Sequence, residues 1–363
     1  MRMDFLEIEQ FRGIRGLELK QLGDVNLLLG DNDSGKTNVL EAIKMFEAPD
    51  DIDAIIRNAS TRTPSIRSIA RDNYTPLEYL LSIFPFAQRY KQVMMSAGID
   101  GEICKFAIEG ELAHILRPVP EQEVRGIYPR EKRKNMLLTE QEVLAFHGKL
   151  YSNEESSPVE IDEFYRPQIF LRRAQSFLPI VYMSPGEHLP VRNNFSIYRT
   201  SKVQEGEIVK LLQLIDPEIE GYKLLPNSTT GSSNQTIEHK RFGNVPLYAC
   251  GDGMKKVLSL AANIMEAKGG ILLIDEIETS LQASNLRNIF SWLLQACRKF
   301  GVQLFVTTHS LEAISTLVSC TVEDTKSELA CYRLEADGEK TFGNRFSVEE
   351  LDSMVNGRGF DVR

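Results

Sequence analysis

Residues 30–37 read Gly-Asp-Asn-Asp-Ser-Gly-Lys-Thr, with Asn38 next. No other stretch limits the fold as tightly. Gly, any four residues, then Gly-Lys-Thr is a phosphate-binding P-loop when a strand precedes it and a helix follows. Both flanks are present. Val25 to Leu29 reads as a short buried strand, and Lys36 to Ala48 carries Val39, Leu40, Ile43 and Phe46 at helical spacing. In that setting successive backbone N–H groups and a helix N-terminus converge on an anion. Gly30 and Gly35 let the backbone wrap a phosphate chain, and Lys36 reaches its outer phosphates. The Thr37 hydroxyl is placed to ligate Mg²⁺, and Asn32, Ser34 and Asn38 complete the stretch expected to bind ATP. Asp33 stands where many such loops carry glycine. Aspartate tolerates positive φ better than most residues, so the turn survives.

Gly269-Gly270 opens Ile271-Leu272-Leu273-Ile274, which ends in Asp275-Glu276. An unbroken apolar run between glycines suits a strand covered on both faces of a mostly parallel sheet. The acidic pair at its end has the Walker B form. Asp275 is expected to hold Mg²⁺, and Glu276 to orient and deprotonate an attacking water. Val302 to Thr308 repeats the form and ends at His309-Ser310. His309 sits where a γ-phosphate sensor would, since imidazole can donate to a phosphate oxygen; a structural histidine at a strand end is the other reading. Gly251-Asp252-Gly253 leads into the apolar-periodic run Val257 to Met265. Such a turn can present N–H groups to an anion, although an ordinary helix start looks the same.

At 363 residues the chain can bury a large core and hold two or three lobes. Its formal net charge of −9 argues against indiscriminate nucleic-acid binding and leaves room for a local basic patch. The five cysteines are scattered and form no C-x-x-C pair, so neither a disulfide framework nor a zinc site is indicated. No apolar run is long enough to span a bilayer. The opening MRMDFLEIEQF has charges where a signal peptide needs its apolar core, so the expectation is a cytoplasmic protein without a membrane role.

Phe5 to Glu9 and Gly16 to Lys20 read as strands of a small β layer ahead of the P-loop. Phe11 and Arg12 end the first strand, facing either an adenine or the surface. Arg57, Arg62, Arg67 and Arg71 form a basic strip without acidic residues between Ile55 and Arg71. A DNA-facing strip, a solvated face and a docking face are all open for it. Ile103 to Ile108 and Leu112 to Leu116 suggest a hairpin about Glu109-Gly110-Glu111, and Ser152 to Pro158 reads as a linker or turn. Arg130, Lys132, Arg133 and Lys134 form a second basic cluster. The interval 49–177 is expected to be an inserted α+β lobe between an N-terminal ATPase segment, 1–48, and a C-terminal ATPase lobe, 178–363.

The order of P-loop, glycine turn with helix, Walker B and Thr-His-Ser resembles the ABC-type ATPase superfamily. FLEIEQFRGIRGLEL, LLLGDNDSGKTNVLEAI, CGDGMKKVLSLA and LLIDEIETSLQ are similar to its OLD-like (overcoming-lysogenization-defect) and RecF/SMC branch. The resemblance covers about residues 1–48 and 178–320. It implies an α/β P-loop fold with an N-terminal β layer and a mostly parallel core sheet. It also implies two copies closing head-to-tail around two ATP molecules. Gly251, Asp252 and Gly253 would then act on the partner's nucleotide, with Ser280 and Leu281 in a D-loop at the interface. Two departures are visible. Ala249 and Cys250 replace the usual signature serine, and Gln282 stands where OLD-like chains often have histidine. The segment after His309 is expected to be too short for a Toprim nuclease. The expected function is therefore an ATP-switched dimer that regulates a separate effector, a nuclease or toxin, in antiphage defence. The alternative is a RecF-like, ATP-dependent DNA-binding protein of recombination repair. A transporter subunit is the third reading, and no Q-loop glutamine is assignable.

Overall fold

The computed structural model describes residues 1–60, 74–85, 90–118, 140–167, 178–186, 202–226, 233–323 and 328–353. The chain opens with β1 (Met3–Phe11) and β2 (Ile14–Lys20), then β3 (Val25–Leu29), which runs into the P-loop. After the first helices come β4 (Tyr90–Ile99), β5 (Glu102–Pro118), β6 (Glu140–Ser152) and β7 (Glu155–Asp162). β8 (Ile180–Met183) precedes a meander of β9 (Ile219–Pro226), β10 (Ser233–His239) and β11 (Gly243–Pro246). The C-terminal part adds β12 (Ile271–Ile274), β13 (Gln303–Thr307), β14 (Leu329–Ala336) and β15 (Thr341–Phe346).

The core sheet has the order β15-β14-β3-β13-β12-β8. All its pairs are parallel except β14 with β15. Every residue of β3, β12 and β13 is buried, as their near-continuous apolar runs require of a sheet covered on both sides. The pleat divides them between two cores. Leu28, Leu273 and Phe305 face the P-loop helix (Lys36–Met45) and the antiparallel sheet. Leu27, Leu29, Leu272, Ile274, Leu304 and Val306 face the helices Asp252–Glu266, Ala283–Phe300 and Leu311–Glu323. Among the described residues no helix is long and apolar enough to cross a membrane.

The second six-stranded sheet is antiparallel, in the order β2-β1-β4-β5-β6-β7. Here the expected boundary at residue 49 is corrected. Met94–Ile99 of β4 pairs with β1, Leu6 facing Ala97 and Ile8 facing Met95. β4 to β7 thus extend the N-terminal β layer and share its core, instead of folding apart as an inserted lobe. Pairing across that boundary was invisible because β4 has no charged-apolar alternation: YKQVMMSAGI mixes both.

The expected hairpin at Glu109-Gly110-Glu111 is also corrected, because β5 runs unbroken through it. Gly110 lies opposite Gly148 on β6. A Cβ on Gly110 would come within 2.3 Å of the His147 carbonyl oxygen and 2.7 Å of the Phe146 ring. The glycine is there to let two backbones and an aromatic ring close up, not to turn the chain. Gly110→Ala should therefore lower stability by about 1–3 kcal/mol by overpacking, measured by chemical denaturation, with ATP affinity unchanged. Within Ser152 to Pro158 only Asn153-Glu154 turns, Asn153 at φ 54°, and Pro158 lies within β7.

Asp51 caps the helix Ile52–Ala59, and Arg57 lies 3.8 Å from Asp51. Arg62, Arg67 and Arg71, like the basic cluster at 130–134, lie outside the described residues. The meander β11-β10-β9 is clasped by His239, whose Nε2 is 3.1 Å from Asp216 Oδ2. Its Nδ1 accepts the Arg241 N–H at 3.0 Å, so the ring proton sits on Nε2 and points at the carboxylate. With both ring nitrogens engaged, His239 ties the end of β10 to Asp216 ahead of β9.

Candidate functional site

The parallel strands β3, β12 and β13 end side by side, and the loops that leave their carboxyl ends form one crevice. Open parallel sheets place their ligand sites there. From β3 comes the P-loop. Gly30 takes φ 137° and Gly35 φ 98°, conformations that strongly favour glycine. A Cβ on Gly30 would strike the Leu334 carbonyl oxygen at 2.5 Å and Ser34 Oγ at 2.6 Å. Asp33 takes φ 65°, the left-handed turn expected of an aspartate in that place. Gly35 precedes the P-loop helix without any side-chain cap, so the first-turn N–H groups have no side chain as acceptor.

Lys36 is 5% exposed, and its ammonium donates to the carbonyls of Gly30 at 2.5 Å and Asp31 at 2.8 Å. Burial pulls its pKa below the ordinary lysine value, and the nearby carboxylates of Asp275, Asp31, Asp33 and Glu276 partly restore it. Thr37 Oγ1 donates to Asp275 Oδ2 at 2.9 Å. The same oxygen accepts the Tyr182 hydroxyl at 3.2 Å, and Asp275 Oδ1 accepts Thr307 Oγ1 at 2.6 Å. Ser34 Oγ is buried with no hydrogen-bond partner among the described residues. Asn32 is exposed at the loop tip, and Asn38 lies within the helix, half-buried.

Glu276 has φ 48°, an uncommon conformation for a glutamate, and three bonds hold it and its neighbour there. Its N–H donates to Thr307 Oγ1 at 2.9 Å, its Oε2 accepts Thr279 Oγ1 at 3.0 Å, and Ile277 N–H donates to the Thr307 carbonyl at 3.1 Å. His309 follows Thr308 at the end of β13, and its backbone N–H donates to Glu278 Oε1 at 3.0 Å. The structure thus brings Lys36, Thr37, Asp275, Glu276 and the strand end bearing His309 to one crevice.

Gly251, Asp252 and Gly253 belong to a second place. Gly251 is exposed and precedes the helix Asp252–Glu266, and Asp252 Oδ1 lies 3.0 Å from Lys255 Nζ. A Cβ on Gly253 would lie 3.0 Å from the Ser280 carbonyl oxygen, so the turn rests on the Ser280 segment. Ser280 takes φ 67°.

Arg12 corrects the surface reading of its strand end. Its Nε lies 3.0 Å from Glu41 Oε2, with the side chains 12% and 1% exposed. The pair ties β1 to the P-loop helix. Thr307, Tyr182 and Glu278 also contribute, beyond the residues that the motifs single out. Thr307 is the polar residue just past the core of β13, a signal the sequence does carry. Tyr182 is placed only by the register of β8 with β12, Tyr182 opposite Leu273, which no local pattern reveals.

A nucleotide loop from the first core strand, an acidic pair on a neighbouring strand and a histidine-tipped third strand define a P-loop ATPase of the ABC/SMC/RecF type. The AAA_21 family, described as "AAA domain, putative AbiEii toxin, Type IV TA system", matches residues 25–315, and the chain belongs to that family. The "ATP/GTP phosphatase" of Helicobacter pylori is 22% identical over 332 residues, covering 86% of each chain. The DNA replication and repair protein RecF of Rickettsia massiliae is 49% identical over 41 residues, 11% of each chain. An Smc head domain from Pyrococcus furiosus, solved bound to the C-terminal domain of ScpA, superposes with a TM-score of 0.53. That match covers 98% of this chain and 99% of the other at 10% identity, a likeness of fold.

Proposed function

We propose that the chain binds and hydrolyses ATP with Mg²⁺, and that ATP closes two copies head-to-tail to regulate a separate effector, a nuclease or toxin, in antiphage defence. The observation that carries the reading is the meeting of Lys36 and the Thr37–Asp275 pair at the carboxyl ends of the core strands. The residues fit the cofactor. Uncapped helix N–H groups, the glycine cradle and the orphaned Ser34 hydroxyl suit phosphate oxygens. Thr37 and Asp275 offer the all-oxygen ligand set that Mg²⁺ takes. Four carboxylates surround the one Lys36 ammonium, so a triphosphate needs an accompanying cation. What the metal supplies is charge neutralisation on the phosphates.

Glu276 would take the proton of the attacking water, and His309 would face the γ-phosphate. Exposed Gly251 and its neighbours Asp252 and Gly253, backed by Ser280, would meet the nucleotide of the second copy through backbone amides. The toxin–antitoxin wording of the family supports a defence role. The proposed site of action is the cytoplasm.

Sedimentation of the full chain with and without MgATP, beside a salt titration of duplex DNA binding, tests the reading. MgATP should convert monomer to dimer, with little DNA affinity at physiological salt. Tight, ATP-dependent and salt-sensitive DNA binding would instead favour the RecF-like alternative.

A further inference from the structure

The loop between Glu276 and Gln282 and the end of β13 are stitched together, and two of the stitches use side chains: Thr307 Oγ1 accepts the Glu276 N–H, and Glu278 reaches back to His309. Ser310 caps the helix Leu311–Glu323 through its Oγ, which accepts Ala313 N–H at 3.2 Å. Ser310 N–H in turn donates to Thr308 Oγ1 at 3.0 Å. His309 therefore precedes the cap, where its own N–H has no partner within the helix. Glu278 supplies that partner from another element, Oε1 accepting the His309 N–H at 3.0 Å. Its second oxygen is buried with no hydrogen-bond partner among the described residues. The carboxylate is thus oriented by the one bond it makes to the residue that carries the imidazole.

We infer that Glu278 is a positioning residue for ATP hydrolysis: it fixes the His309 backbone and links it to the loop on which the exposed glycine turn rests. This rests on the ATPase reading above. A bond from a carboxylate to a backbone amide is charge-assisted and stronger than a neutral one. It is formed in a loop that also holds Glu276 and Ser280 at φ 48° and 67°. Such conformations persist only where surrounding bonds over-determine them. Ser280, two residues beyond Glu278, lies under Gly253. Glu278 therefore stands between the strand end that bears His309 and the turn that rests on Ser280, and among the described residues no bond joins it to the Lys36 ammonium or to the Thr37–Asp275 pair. Its loss should disturb turnover and leave ATP affinity intact.

The test is steady-state ATP turnover and equilibrium binding of a fluorescent ATP analogue for Glu278→Ala, Glu278→Gln, His309→Ala and the double variant Glu278→Ala/His309→Ala. Glu278→Ala should lose about tenfold or more in kcat with Kd within about twofold of wild type. Glu278→Gln keeps an acceptor oxygen and should recover most of the turnover. The double variant should be no slower than His309→Ala alone, because both changes remove one unit. Should Glu278→Ala unfold, Glu278→Met keeps the volume, removes the acceptor and carries the same comparison. Wild-type turnover in Glu278→Ala, or losses in the double variant that multiply, would overturn the inference alone. Absence of ATP turnover in the wild-type chain would overturn the ATPase reading and this inference with it.

Discussion

Glu276→Gln is expected to slow ATP turnover by about a hundredfold or more while leaving ATP affinity within about twofold of wild type. The substitution keeps the shape and the Thr279 bond and removes only the proton acceptor. Glutamine still offers an oxygen to Thr279 Oγ1, now 3.0 Å from Glu276 Oε2. The backbone is held independently of the side chain, since the Glu276 N–H donates to Thr307 Oγ1. The left-handed φ of 48° therefore survives, and thermal stability should stay unchanged. A positioned general base contributes about 10²–10⁴ in rate, which sets the scale of the loss. With hydrolysis blocked and binding intact, the ATP-bound dimer should accumulate, seen as a stable MgATP-dependent dimer by size-exclusion chromatography. Turnover at the wild-type rate would show that Glu276 is not the base. Loss of ATP binding along with turnover would mean that Glu276 holds the nucleotide site together instead of serving the chemistry.

The motifs of the candidate site are legible in the sequence and much of the architecture around them is not, for a physical reason that individual residues show. Phosphate binding needs glycines at fixed positive φ, a lysine at fixed reach and a hydroxyl one residue later, so the whole constraint lies within Gly30 to Thr37. The buried strands Ile271–Ile274 and Gln303–Thr307 were equally plain, because a strand covered on both faces must be continuously apolar. The antiparallel sheet carries no such local record. Gly110 signals a turn by composition and is in fact a point of close approach to Gly148, a partner far along the chain. β6 and β7 leave no local trace, and β4 reads as part of a separate lobe, because their pairing is fixed by β1 and by one another. Arg12 is the same lesson in charge: at a strand end it reads as surface, and only the fold shows its partner to be the buried Glu41.

Lys36→Ala is expected to abolish measurable ATP binding, weakening Kd by about a hundredfold or more. The ammonium is set against the carboxylates of Asp275, Asp31, Asp33 and Glu276, and its removal leaves these four facing a triphosphate without it. It also loses the donor now shared by the Gly30 and Asp31 carbonyls. Charge-assisted bonds to phosphate are worth about 1.5–3 kcal/mol each, and two of them account for the expected loss. Arginine should not rescue it: Lys36 is 5% exposed, and a planar guanidinium does not fit a loop closed around a single ammonium. The pH dependence has a definite sign. Burial lowers the Lys36 pKa, so the ammonium is lost at a lower pH than from an exposed lysine. An incoming triphosphate favours the protonated form. ATP affinity should therefore fall as pH rises through that lowered pKa, with proton uptake on binding in the same window. Calorimetry in buffers of different ionisation enthalpy measures that uptake directly. Lys36→Ala should abolish it, and retention of full ATP affinity by Lys36→Ala would refute the placing of the phosphates in this loop.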